Sequence, residues 1–259
     1  MKSKYSFIQI LFFLFFSGCH FNSLSHKEIV EAQEAIDAQN FKRAEQKLVS
    51  ALEFDIDENL KIKALHQLGV IRAFHLDDLN GALDVFIKTL EIAKDEDTKK
   101  KSRVYLANLY YESLRDYEKS APLFKTLSAN ENDNSFRDTY FYRYVRSLYE
   151  TQNFTKVLYL TNNIKENSTN LELSMLRALS LYFSGRSDDS LMVLENIEKF
   201  ADIALLAEVK FFKALILEDR EFLKESYSEY VELLKFFPNP DLVKIRIKEL
   251  IKRKRNIKR

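Results

Sequence analysis

Glycine and proline are scarce in this chain: four glycines (Gly18, Gly69, Gly81, Gly185) and three prolines (Pro122, Pro238, Pro240) among 259 residues, with one cysteine and no tryptophan. Sheets joined by tight hairpins need many turn residues, so the shortage argues against an all-β fold. The closest two glycines, Gly69 and Gly81, are twelve positions apart. Neither a G-x-G-x-x-G nor a G-x-x-x-x-G-K-[ST] phosphate loop can therefore occur. A lone cysteine, Cys19, excludes a disulfide framework and a thiolate metal site. The histidines (His20, His26, His66, His75) form neither H-x-x-x-H nor H-E-x-x-H, and there is no G-x-S-x-G elbow. Asp77-Asp78 and Asp188-Asp189 stand just before helical patterns, where aspartate accepts hydrogen bonds from free backbone N–H groups, so capping explains them better than catalysis does. The expectation is a protein that is not an enzyme and uses no cofactor and no metal.

What the chain does contain is 31% charged and 46% hydrophobic residues, the balance of a globular protein. Lys2 and Lys4 precede a mostly apolar stretch from Tyr5 to Phe16, then Ser17, Gly18 and Cys19. Twelve residues fall short of the about 20 that a membrane span needs, and match the apolar region of a secretory signal. Phe16-Ser17-Gly18-Cys19 resembles the bacterial lipobox, with Phe16 where leucine is usual. The resemblance implies a lipoprotein signal peptide over 1–18, lipidation of Cys19 and a tether over 19–24. Acyl chains contribute about 0.8 kcal/mol per buried CH₂, and two or more anchor a protein stably. His20 follows the cysteine, and the aspartate that commonly marks inner-membrane retention is absent. The expected location is the bacterial cell envelope, as an outer-membrane lipoprotein facing the periplasm.

Beyond this segment one pattern recurs six times. A helical stretch with a small residue near its middle is followed by a short polar break and a second helical stretch. The second stretches open with Ala44, Ala82, Ser120, Val157, Ser190 and Ser226, spaced 38, 38, 37, 33 and 36 residues apart. Four positions later come Leu48, Phe86, Phe124, Thr161, Leu194 and Tyr230, and seven positions later Ala51, Thr89, Leu127, Ile164, Ile197 and Leu233. In the first stretches, Gly69, Ala107, Ala178 and Ala214 are small where two helices would cross, because a large side chain there would force them apart. Pro240 to Arg259 supplies a closing helix with Val243, Ile247, Leu250 and Ile251 on one face and Leu242 and Ile245 flanking it.

This arrangement resembles the tetratricopeptide repeat, and with the lipobox it looks like the tetratricopeptide lipoproteins of bacterial envelopes. The resemblance covers roughly residues 25–240 and implies an all-α, right-handed solenoid of about six helix pairs, capped by a basic C-terminal helix and tail over 241–259. In that family the first helices line a concave face. The same register here points Asn108, Tyr111, Arg146, Tyr149, Leu179 and Tyr182 into a groove, with Tyr142 one turn before Arg146. Tyrosine offers a large rigid contact with a hydrogen-bonding tip, so a protein partner is expected on this surface; packing between neighbouring helices is the other role these rings could have. Val104 occupies the position where carboxylate-clamping repeats carry lysine, which speaks against chaperone-tail binding.

Charge is unevenly spread. Residues 241–259 hold nine bases against Asp241 and Glu249, which leaves the repeat body acidic although the chain's formal net charge is +1. Lys252, Arg253, Lys254, Arg255, Lys258 and Arg259 are candidates to meet an anionic surface: membrane, lipopolysaccharide or acidic protein. Each is worth on the order of 1 kcal/mol near anionic lipid. The alternative is a solvated helix end. No base-reading motif accompanies the charge, so nucleic acid is not an expected partner. The function these features imply is that of a non-catalytic, lipid-anchored adaptor serving outer-membrane protein assembly, pilus or secretin assembly, or recruitment of peptidoglycan enzymes. A cell-wall-active enzyme or accessory, or a lipid-binding envelope protein with an enclosed apolar cavity, are the alternatives from other classes.

Overall fold

The computed structural model describes residues 24–164 and 171–257, with side chains as far as Arg253. Cys19, the signal segment and all of the tether but Leu24 lie outside the described residues, as do Lys258 and Arg259 and the side chains of Lys254 and Arg255. The chain forms two compact units that divide between Glu131 and Asn132. The first contains α1 (24–37), α2 (Phe41–Glu53), α3 (Glu58–Phe74), α4 (Leu79–Ile92), α5 (Glu96–Asn108) and α6 (Tyr117–Asn130), with a π-helical turn, Leu109–Ser113, continuing α5. The second contains α7 (Asn134–Glu150), α8 (Phe154–Thr161), α9 (Leu171–Phe183), α10 (Ser187–Glu198), α11 (Ile203–Asp219), α12 (Leu223–Leu233) and α13 (Pro240–Ile257). Each unit is thus three helix pairs, and α13 closes the second. No helix among the described residues is long and apolar enough to cross a membrane.

One backbone device makes all six turns within pairs. Gln39, Asp77, Arg115, Gln152, Gly185 and Glu221 have φ between 52° and 77°, the left-handed conformation that ends a helix. The following residue then donates its N–H back to the first helix: Asn40 to Ala35, Asp78 to Arg72, Asp116 to Tyr110, Asn153 to Leu148, Arg186 to Leu181 and Phe222 to Leu217, at 2.7–2.9 Å. These bonds occupy carbonyls that the helix itself leaves without partners. Several second helices are then capped from the same turn, the side chains of Asn40, Asp78 and Asp116 accepting from Arg43, Gly81 and Lys119.

The small positions and the positions four residues later form the core. Ala44, Ala82, Ser120, Val157, Ser190 and Ser226 are all fully buried, and so are Leu48, Phe86, Phe124, Thr161, Leu194 and Tyr230. Seven residues on, only Ile164 is half-buried instead of buried. Close approach is visible in hydrogen bonds as well as in packing. The Ser190 hydroxyl donates to the Ala178 carbonyl at 2.7 Å, and one pair later the Ser226 hydroxyl donates to the Ala214 carbonyl at 2.8 Å. A larger side chain at either end of that contact would separate the helices. In the second pair Gly69 plays the matching part, leaving room for the ring of Phe86.

Three expectations need correction. Asp78 caps α4, but Asp77 is the left-handed turn residue itself. Asp188 and Asp189 lie inside the first turn of α10 and do not cap it; Asp188 pairs with Arg220, and Asp189 with Arg186 at 2.7 Å. On α13, Val243 and Leu250 are buried and Ile247 is partly buried against Ala207, Ala214, Tyr230 and Leu233, whereas Ile251 is 37% exposed. A stripe of i, i+4 and i+7 residues is narrow, and Ile251 lies about 100° further round the helix than Leu250.

Candidate functional site

The three first helices of the second unit enclose a groove of about 1280 Å³. Each contributes one row of side chains at helical spacing. From α7 come Asp138, Tyr142, Arg146 and Tyr149; from α9, Glu172, Met175, Leu176 and Leu179; from α11 and the turn before it, Phe200, Asp202, Leu205, Glu208 and Phe212. Leu171 and Leu173 at the start of α9, with Ile164, add further apolar surface. The floor of the groove is continuous with the core: Met175, Leu176 and Leu179 are themselves buried, and next to the rows Val145 on α7, Ala178 on α9, and Ala207 and Ala214 on α11 are buried as well. Two local caps hold the ends. The Asp133 carboxylate accepts from the N–H groups of Ser135 and Phe136 at the start of α7, and Asp202 accepts from Leu205 at the start of α11, at 2.9 Å.

Arg146 is the one basic side chain among the described residues that line the groove. Burial pulls against its charge, but hydrogen bonds with Glu150 and Tyr142 outweigh that effect and hold the guanidinium protonated. Its Nε donates to Glu150 Oε1 at 2.7 Å. Tyr149 has one edge in the groove while its ring packs against Phe154 and Phe183, at centroid distances of 5.8 and 6.4 Å. Burial pushes its phenol above the ordinary value, helped by the charge of Glu150. What this surface offers is a rigid aromatic and aliphatic floor with hydroxyl and carboxylate groups along its rim. Among the described residues, no group of three or more histidine, cysteine, aspartate or glutamate side chains could hold a metal ion.

The residues picked from the sequence divide into separate places. Tyr142, Arg146, Tyr149 and Leu179 line the groove together. Tyr182 does not; its hydroxyl donates to Asp219, which lifts its pKa to about 12 and ties the end of α9 to the end of α11. Asn108 and Tyr111 belong to the first unit. Tyr111 sits in the π-helical turn, and its ring meets Tyr117 and Phe124 of α6 edge-on, each at 5.5 Å. A π turn adds a residue to the helical register, so the fourth residue after Ala107 points to a different side than it would in an unbroken α-helix. Of the basic tail, Arg253 donates to Glu218 at 2.9 Å and to Glu221 at 2.6 Å, whereas Lys252 is exposed.

Glu172, Leu173, Phe200, Asp202, Glu208 and Phe212 were not picked from the sequence. A signal for some of them exists. Extending the α9 row from Leu179 toward the helix N-terminus by three or four positions leads to Met175 and Glu172; on α11 the same steps from Leu215, the residue after Ala214, lead to Phe212 and Glu208, although Leu215 does not line the groove. Phe200 and Asp202 lie in a turn, where no helical register applies.

Neither a family model nor a curated protein matches this sequence. Solved structures do match its backbone. The structure of Naa15/Naa10 bound to HypK-THB aligns over 93% of this chain and 35% of that one, with 16% identity and a TM-score of 0.62. YrrB, described as a TPR protein with an unusual peptide-binding site, aligns over 78% of this chain and 97% of its own, at 14% identity and TM-score 0.52. The fold is tetratricopeptide-like. PilW, a type IV pilus biogenesis factor, shares it at 13% identity and TM-score 0.51, over 87% of this chain and 99% of its own. At these identities the likeness concerns the tetratricopeptide-like fold alone.

Proposed function

We propose that this chain is a non-catalytic adaptor that receives a segment of a partner protein in the groove of α7, α9 and α11, and is held at the bacterial envelope by lipid on Cys19. The observation that carries the reading is the groove itself: three parallel rows of side chains, mixed aromatic and aliphatic, whose floor at Met175, Leu176 and Leu179 is fixed as part of the core. Rigid apolar floors with few polar groups are what peptide segments dock on. A peptide-binding site is named for YrrB and a pilus role for PilW, and each shares this fold. That likeness makes secretin or pilus assembly one of the envelope pathways to test, beside β-barrel assembly and peptidoglycan-enzyme recruitment.

Crosslinking in the native cells followed by affinity purification tests both halves. Leu173→Ala combined with Phe200→Ala trims groove contacts without entering the core, since Phe200 is 50% exposed and Leu173 half-buried. Loss of the captured partner in this variant, with membrane association kept, is the expected result. Recovery of the same partners would move the binding surface elsewhere. Cys19→Ala is expected to release the protein from the membrane fraction, and its retention there would remove the anchor from the reading.

A further inference from the structure

The groove has a charge of its own. Of the described charged side chains that line it, Asp138, Glu172, Asp202 and Glu208 are carboxylates and only Arg146 is basic. Arg146 is already neutralised by Glu150 at 2.7 Å. Asp138 stands 3.7 Å from Arg137, an exposed pair that screens little of its charge. Asp202 spends one oxygen on the Leu205 N–H and remains exposed, as do Glu172 and Glu208. The carboxylates are spread over all three helices, so the negative rim surrounds the apolar floor.

We infer that the segment received in this groove is cationic and amphipathic, carrying aliphatic or aromatic side chains for the floor and lysine or arginine for the rim. The inference rests on the proposed function and adds the chemistry of the partner. A concave surface lined by one sign of charge concentrates the complementary ligand and repels the other. An acidic segment or a free C-terminal carboxylate would meet four carboxylates with no unpaired guanidinium to receive it. Phe200, half-exposed at the edge, provides a ring on which a side chain of the incoming segment can pack.

Fluorescence anisotropy of the full chain with three labelled peptides decides the matter: one mixing leucine, phenylalanine and lysine, the same peptide with glutamate for lysine, and the same peptide with serine for leucine and phenylalanine. The lysine-bearing amphipathic peptide is expected to bind roughly tenfold or more tighter than the glutamate one, and to weaken as salt is raised. Glu172→Lys with Glu208→Lys should reverse or erase that preference, and Glu172→Gln with Glu208→Gln should reduce it, with circular dichroism unchanged in both. Binding of the glutamate peptide as tightly as the lysine one overturns the charge assignment and leaves groove binding standing. Binding of the serine peptide as tightly as the lysine one overturns the amphipathic part. Binding of none of the three overturns the groove reading together with this one.

Discussion

At the scale of single residues, the scarcity of glycine has a structural consequence. Five of the six turns place a residue with a side chain at positive φ, and only Gly185 is suited to it. Left-handed backbone costs an L-residue roughly 1–2 kcal/mol, part of which glycine gives back through its freer unfolded chain. Gln152→Gly should therefore raise stability by about 0.5–1 kcal/mol, read as a higher urea midpoint. Gly185→Ala should lower it by about 1 kcal/mol, because an added Cβ meets nothing within 4 Å and only the backbone term remains. Equal midpoints for all three proteins would show that these turns are not strained. Gly69 provides space of a different kind. A Cβ there would lie 2.7 and 2.8 Å from atoms of the Phe86 ring, which is fully buried and stacked on Tyr105 at 4.9 Å. The ring has nowhere to go, so Gly69→Ala should cost about 1–3 kcal/mol of stability in the same assay.

At the scale of elements, α13 shows why charge read along a sequence misleads. Arg246 and Arg253 are seven residues apart, on the same side of the helix as Val243 and Leu250, and both reach the Glu218 carboxylate, which is only 5% exposed. Tyr230 donates to that carboxylate at 3.3 Å. Two bases of the tail thus help to dock the helix that carries them. Burial pushes the Tyr230 phenol up to about 12, so the folded chain holds a proton that the unfolded chain releases near pH 10. Its contribution is complete below about pH 10 and is lost as pH rises through about 12. Tyr230→Phe keeps the ring and removes the titrating group. Urea midpoints measured from about pH 9 to about pH 12 should fall less steeply for this variant than for the wild type. Parallel curves would mean that Tyr182 and the lysines account for the alkaline loss instead.

Over the whole molecule, the six pairs share one plan but do not share it equally. The fourth pair departs most. Its second helix, α8, is eight residues long and buries only Val157 and Thr161. Thr161 stands where Leu48, Phe86, Phe124, Leu194 and Tyr230 stand in the others, and its hydroxyl donates to Val157 of its own helix at 2.8 Å. Asn153, unlike Asp78 and Asp116, provides no side-chain cap. A short helix with a small buried face opens at low free energy. Hydrogen exchange should therefore find α8 the least protected of the second helices, with α4 and α10 far slower. Protection of α8 equal to theirs would show that its packing compensates for its length.

The all-α class, the six helix pairs and the core are legible in the sequence: small residues at intervals of 33 to 38, with large ones four positions later, leave each helix one face that must be covered. The turns are legible there as well, since polar breaks between apolar periods stop helices. Which tyrosines share a surface is not. Tyr142 and Tyr149 line the groove, while Tyr111 turns toward α6 and Tyr182 toward Asp219. Helical periodicity says which residues share one face of one helix, but not how much of its length a neighbour covers. A single π turn changes the register after it. Which carboxylates share the groove with Arg146, and which one receives Arg253, follows from how helices distant in sequence pack together, so periodicity along the chain could not reveal it.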